Sequence, residues 1–446
     1  MTHINPSESK IQEQLVLFTP KSVCSTPAAA LSSASNLGKS NLGKSNLCTL
    51  EELYPLVEQP CLAPFETSIV DFCAALSKRL LQTGMPELSA LGYWLRASNI
   101  KRWQGKVEDQ SQVALGAVVH FAPANVDTMF AYSWICSLLM GNSNIVRLSS
   151  QDSPLKQQLL QVINAVYEQS QFTAIARRNA FVTYEHNTGT NTGTNTGTNT
   201  GISTALSALA DARLIWGGDA TVAHIRSIAA KLRTRDICFA DRHSVAVING
   251  ETFADTASAE SAAKALWRDM QPYSQMACSS PRTLFFHGSD TQLGYLLEAL
   301  TQQALSATLP PSEPMQTRQN DHLIASQLAL ATGAAIGVVQ NKALTAVKVK
   351  SFTEQTRQNL YQWHVGDGFL YTYQWQCLAD VINNLNAHCQ TMSYYGLPLS
   401  EIIKAFDAAS ITQIDRIVPL GQALDFSPVW DGYDLFNQLS RQVVAR

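Results

Sequence analysis

The sequence predicts an α/β protein of more than one domain, the first built on a doubly wound parallel sheet. Three observations carry that expectation. Short apolar runs alternate with amphipathic helical runs, turn residues stand where each run stops, and 446 residues are too many for one ordinary domain. The composition agrees, with 46% hydrophobic and only 15% charged residues, so much of the chain belongs in buried elements.

Residues 1–55 are rich in Ser, Asn, Pro and Ala and carry the near-tandem run SNLGKSNLGKSNL at Ser35–Leu47. They read as a flexible tail or loosely docked arm. Ala114–Phe121 then reads as a buried strand, and Val126–Met140 as a helix stopped by Gly141-Asn142. Asn144–Leu148 is the next strand, Pro154–Gln169 a helix and Ala180–Tyr184 a strand. Asn187–Gly201 repeats Asn-Thr-Gly-Thr with no apolar residue to anchor a strand, and reads as a surface loop. Helix Ser203–Ala210, strand Ala212–Trp216 and helix Thr221–Leu232 complete one βα-alternating domain over residues 56–236. Sheets of this type bind ligands at the carboxyl ends of their strands.

A second domain is expected over 237–395, with strands at Ser244–Ile248 and Thr283–Phe286 and helices at Ser258–Asp269 and Thr291–Ala307. Pro310–Pro314 breaks the pattern, and residues 396–446 form a C-terminal segment.

Several classes are set aside. The 32 basic and 35 acidic residues leave a net charge of −3, which argues against nucleic-acid binding through a basic field. The longest uncharged apolar run, Leu328–Val339, is too short to span a bilayer. The start MTHINPSESKIQEQ lacks the pattern of a secretory signal. The nine cysteines are scattered without a C-x-x-C pair, so neither a metal ribbon nor a disulfide framework is expected and a cytoplasmic setting is.

Four places combine a strand end, a turn and an unusual polar residue. In His120–Asn125, Asn125 is either a helix N-cap or an amide donor for a developing oxyanion. In Leu214–Asp219, Gly217 and Gly218 form either a plain βα turn or a backbone approach to a ligand. In Gln275–Arg282, Cys278 is either a small core residue or a nucleophilic thiol. The fourth, Asp415–Gly421 continuing to Asp425–Asp434, is dense in acids, aromatics and glycine; it either lines a cleft or docks the C-terminus.

Taken together in this order, ADARLIWGGDATV, SQMACSSPR and DRIVPLGQALDFSPVWDGYDL resemble the acyl-CoA reductase (LuxC-like) family, within the aldehyde dehydrogenase superfamily. The resemblance covers roughly Leu91–Arg446 and includes the strand-Pro-x-Asn-helix-Gly-Asn-strand pattern of HFAPANVDTMFAYSWICSLLMGNSNIVRLSS. It implies an α/β, aldehyde-dehydrogenase-like fold of two doubly wound parallel-sheet domains, one nucleotide-binding and one catalytic, with the active site in the cleft between them and the C-terminal segment packing back on it. It implies NADPH-dependent reduction of a long-chain acyl-CoA to the fatty aldehyde, with Cys278 as nucleophile and Asn125 as oxyanion donor. Ala122, Pro123, Ser149, Gly217 and Gly218 would lie against the dinucleotide. Arg147 stands where the superfamily carries Lys near the adenosine ribose, which suits a 2′-phosphate. Phe130 and Trp134, four apart on one helical face, and Trp430 are candidates for an acyl tunnel or for core packing. A homo-oligomer and an acyl-transferring or acyl-protein synthetase partner are further implications.

One departure matters. The Glu of the superfamily's E-L-G-G segment, the general base of hydrolytic members, is matched by Phe239. An acyl enzyme without that base is expected to favour reduction or exchange with CoA over hydrolysis. The rival readings are an acid-forming aldehyde dehydrogenase and a non-catalytic acyl-binding relative.

Overall fold

A computed structural model of the chain describes residues 15–18, 46–107, 111–184, 200–306, 315–341, 343–409 and 413–444. Most of both repeats, residues 35–45 and 187–199, and the break at Pro310–Pro314 lie outside the described residues. The described chain forms two compact units, one up to Ala240 together with the residues from Asp434, the other Asp241–Tyr433. The division falls beyond the strand Arg235–Phe239, which the boundary expected at 236/237 would cut. That strand stays with the first unit because it pairs along its length with Ala212–Trp216. The expected segment 396–446 is likewise divided, at Tyr433/Asp434.

In the first unit the strands are β1 (Leu15–Leu17), β2 (Asn46–Cys48), β3 (Gln112–Ala114), β4 (Ala117–Phe121), β5 (Ser143–Arg147), β6 (Asn179–Thr183), β7 (Ala212–Trp216) and β8 (Arg235–Phe239). The sheet order is β2-β1-β6-β5-β4-β7-β8. The five strands from β6 to β8 in that order are parallel. Their succession reverses between β4 and β7, which makes the carboxyl ends of those two strands the topological switch point. The parallel sheet expected for this region is therefore present. β3 pairs separately with Ser440–Gln442.

Two expectations are corrected here. The N-terminal segment is not wholly a tail: β1 runs antiparallel to both β2 and β6 and extends the sheet edge. Leu15, Leu17 and Cys48 are buried against Val182 and Ile202 in the core. The helix expected from Val126 is Met129–Leu139, with Thr128 at its N-cap. Every residue of it is buried, so no polar stripe marks where it begins.

Beneath that helix lies a buried polar network. The His120 ring contacts Ser133 Oγ and Asn144 Oδ1, both at 3.1 Å, and Asn179 Oδ1 accepts from Asn144 Nδ2 at 2.9 Å and from Trp134 Nε1 at 2.7 Å. Burial lowers the His120 pKa to about 4. The folded-state value lies below the unfolded one, so the stabilisation is present above pH 6.5 and is lost as pH falls toward 4, by up to roughly 3 kcal/mol. Urea unfolding midpoints are expected to fall between pH 6.5 and 4, with a shallower fall in His120→Gln; equal slopes would remove His120 as a cause.

The second unit holds β9 (His243–Asn249), β10 (Pro281–His287), β11 (Ala335–Gln340), β12 (Thr345–Val349), β13 (Phe369–Gln374), β14 (Cys389–Tyr395) and β15 (Arg416–Pro419). Their order is β11-β12-β13-β10-β9-β14-β15, parallel except for the β11–β12 edge pair. Among the described residues no helix is long and apolar enough to cross a membrane.

Candidate active site

In the first unit the sequence candidates gather at the carboxyl ends of neighbouring strands. Ala122 follows β4, and its N–H donates to Arg147 O at the end of β5 at 3.0 Å. Pro123 is half-buried and Asn125 exposed in the loop after β4. The N-cap of the following helix is Thr128, not Asn125. The Arg147 guanidinium lies 5.3 Å from the centroid of the Tyr184 ring, whose hydroxyl pairs with Ser203 Oγ at 2.8 Å. Ser149 O accepts from the Lys156 ammonium at 3.2 Å, a buried cation that the sequence reading passed over. Gly218 is the N-cap of helix Asp219–Ser227, and Gly217 N–H donates to Phe239 O at 3.1 Å. Phe239 stacks flat on Trp216, with centroids 3.7 Å apart. An aromatic pair thus occupies the end of β8, where the resemblance would place a carboxylate.

The three aromatics considered for an acyl tunnel or for core packing are all buried. Phe130 and Trp134 both meet Phe181 edge-on, at 5.7 and 5.0 Å, and Trp134 is fully enclosed with Phe72 and Tyr167. Trp430, in the second unit, is buried under the Arg416 guanidinium at 4.4 Å.

In the second unit Cys278 stands at the amino ends of β9, β10 and β14, not at carboxyl ends as the general rule for such sheets would have it. Its loop follows helix Thr256–Met270 and is strained: Tyr273, Ser274 and Gln275 have φ of 54°, 52° and 62° without a glycine among them. Each such residue costs on the order of 1–3 kcal/mol and persists only where surroundings impose it. Here the buried Gln275 side chain imposes it. Its Nε2 donates to Pro281 O at 2.9 Å and Phe369 O at 3.0 Å, while its Oε1 accepts from Gly368 N–H at 3.0 Å. Asp367 N–H also donates to Ser274 O at 2.9 Å. A Cβ on Gly366 would stand 2.4 Å from Ser274 O, so only glycine fits beneath the turn.

The loop delivers a half-buried thiol with defined contacts. Ser244 Oγ donates to Cys278 O at 2.7 Å, and Gln390 Nε2 donates to Cys278 Sγ at 3.3 Å. Burial, then the Asp431 carboxylate, pushes the thiol pKa up to about 11, opposed by Gln390, Arg282 and Arg416. The resting group is therefore a thiol. Its reactivity has to come from deprotonation, since the thiolate is the nucleophile. Gln275 and Gln390 were not assigned roles from sequence. Gln275 lies within the Cys motif, where its residue type is the signal, whereas Gln390 is brought in by the fold from far along the chain.

This pair of sheets matches solved aldehyde dehydrogenases. The chain is similar to lactaldehyde dehydrogenase from Escherichia coli, with a TM-score of 0.57 and 12% identity over 89% of this chain and 86% of that one. It is similar to an aldehyde dehydrogenase of Mycobacterium tuberculosis solved with NAD+, with a TM-score of 0.57 and 13% identity over 88% and 89% of the two chains. An NAD-dependent benzaldehyde dehydrogenase of Corynebacterium glutamicum gives a TM-score of 0.59 and 12% identity over 88% and 86%. The fold class is thus aldehyde-dehydrogenase-like α/β. Within that class, the profile of the acyl-CoA reductase (LuxC) family matches residues 96–442, and the chain belongs to that family. No curated protein matches it.

Proposed function

We propose that the protein reduces a long-chain fatty acyl-CoA to the fatty aldehyde with release of CoA, through an acyl thioester on Cys278, using NADPH. The observation that carries this reading is the thiol of Cys278, presented by a strained, side-chain-braced loop and contacted at sulfur by an amide donor, in a chain of this family. On loss of its proton, Cys278 Sγ attacks the thioester carbonyl, the carbon–sulfur bond to CoA breaks, and CoA leaves as a thiolate that takes up a proton. The Asn125 amide and the Cys278 backbone N–H are the proposed oxyanion donors. A reduced nicotinamide supplies the hydride when bound. The resulting hemithioacetal oxyanion then collapses, releasing aldehyde and regenerating the Cys278 thiolate.

The first unit is the proposed nucleotide-binding domain and the second the catalytic domain. Residues at the switch point suit a dinucleotide: glycines at 217 and 218, the N-terminus of helix Asp219–Ser227, and the Arg147 guanidinium at the end of β5. Phe239, stacked on Trp216, offers no base for water, which favours reduction over acid formation. An acyl-transferring partner and self-association remain part of the proposal.

The test is incubation with long-chain acyl-CoA and NADPH, following loss of nicotinamide absorbance together with aldehyde formation. Acid as the main product, or no acyl uptake on Cys278, would reject it. Arg147→Glu is expected to raise KM for NADPH at least tenfold more than for NADH, because a like charge would face the 2′-phosphate. Equal losses for the two nucleotides would show that Arg147 does not read that phosphate.

A further inference from the structure

Cys278 is half-buried beside a carboxylate, a setting that favours the neutral thiol, yet the reaction needs the thiolate. What offsets that setting is found on β14. Gln390 is fully buried, and its side-chain nitrogen is aimed at Cys278 Sγ at 3.3 Å. The two ends of an amide have opposite effects at this place. Nitrogen donates and favours the thiolate; oxygen would accept from S–H and favour the thiol.

The orientation is set by the neighbours of Gln390. Its Oε1 accepts from Thr391 Oγ1 at 3.4 Å, which leaves the nitrogen end for sulfur, and Gln390 is among the groups that act on the buried Asp431 carboxylate. A carboxylate can only accept, so one acting on this amide would favour the orientation that Thr391 already sets, nitrogen toward sulfur. Asp431 is unusual for its position. With Gly432 it forms the two-residue turn between the short strands Val429–Trp430 and Tyr433–Asp434, at φ of 53° and 75°. Such Asp-Gly turns normally face water, but the Asp431 side chain is only 4% exposed. Arg242 Nη1 approaches its Oδ1 at 3.7 Å, and Arg242 is also paired with Asp415. Arg416 on β15 and Arg282 on β10 are the other charges acting on this group of residues.

We propose that Gln390 is a catalytic residue, its amide donating to Cys278 Sγ and stabilising the thiolate, and that Asp431 is a positioning residue that keeps the amide nitrogen toward sulfur. The amide itself neither takes nor gives a proton. The thiol proton leaves to water, and the N–H stabilises the charge left on sulfur. This assignment rests on Cys278 being the nucleophile, but its test does not require acyl chemistry.

The experiment is alkylation of the full-length protein by iodoacetamide between pH 7.5 and 9.5, with modification of Cys278 followed by peptide mass spectrometry. The exposed Cys61 and Cys377 serve as internal controls. Removing a hydrogen bond to a charged group shifts the thiol upward by about one to two pH units. The greater nucleophilicity of the more basic thiolate offsets about half of the rate effect. Gln390→Leu is therefore expected to slow Cys278 roughly three- to tenfold, and Gln390→Glu, of nearly the native shape, to slow it further. Packing alone would leave the Glu variant at the native rate, which would overturn the assignment. The Glu variant also carries the test if the Leu variant does not fold.

For Asp431, Asp431→Asn should speed alkylation in the Gln390→Leu background, where only its charge matters. It should speed it less, or slow it, in the native background, where the orientation of the amide is lost as well. Equal effects in the two backgrounds would overturn the positioning role. If the alkylation order holds but Cys278 takes no acyl group from acyl-CoA, the proposed reaction fails while the thiolate assignment stands.

Discussion

Cys278→Ala is expected to abolish both S-acylation and aldehyde formation, a loss on the order of 10⁴ or more for removal of a covalent nucleophile. The fold should survive. Among the described residues Gln390 is the hydrogen-bond partner of the sulfur, while the loop is held independently by Gln275 and Gly366. Thermal unfolding of the variant should therefore stay close to native. In the native protein, mass spectrometry after mixing with acyl-CoA should place the adduct on Cys278. Its competitors are poorly set for this chemistry. Cys136 and Cys389 are buried, the latter against His243, whereas Cys278 is half-buried, and burial raises Cys238. An adduct on Cys238 or Cys136 would sink the assignment. The raised thiol also fixes the sign of the pH dependence. With a thiol near pKa 11, the thiolate fraction rises about tenfold per pH unit through the neutral range, so single-turnover acylation should accelerate from pH 6 to pH 9. A flat profile would mean that the free thiol is already ionised or that another step limits.

Much of the first sheet was legible because its strands are buried on both faces and bounded by turn residues. Ala212–Trp216 is found as read, and Asn144–Leu148 and Ala180–Tyr184 each differ by one residue at either end. The period failed where burial is complete. In Met129–Leu139 every position is apolar or enclosed, so the true start at Thr128 leaves no mark, and Asn125 invited a capping reading that belongs to another residue. β1 was missed because a three-residue antiparallel strand set in polar sequence has too few alternations to count. Around Cys278 the motif was visible but its support was not. No propensity rule anticipates three successive left-handed residues without glycine, since side-chain bonds from Gln275 to distant backbone impose them. Nor does spacing reveal Gln390, whose approach to the thiol depends on the register of β14 beside β9.

Asn125→Ala is expected to lower turnover by roughly 10²–10³, the usual scale for one oxyanion donor. The sequence left two explanations for this residue, a helix cap and an oxyanion donor, and the variant tells them apart. A cap would tie Asn125 to the first turn of the following helix, and its loss would cost about 1 kcal/mol of stability. That position belongs to Thr128, and Asn125 stands exposed three residues earlier, at the carboxyl end of β4 on the switch point. The variant should therefore unfold at nearly the native temperature and bind the nucleotide with nearly native affinity. The loss should appear in kcat rather than in KM for acyl-CoA, because an oxyanion donor acts where negative charge develops and only weakly on the ground-state carbonyl. Both the acylation and the hydride-transfer step pass through an oxyanion, so each should slow when measured alone, acylation by single-turnover mass spectrometry and reduction from preformed acyl enzyme. A fall in activity that tracks a lowered unfolding temperature would return Asn125 to a structural role. Loss in one step only would restrict its donor role to that step.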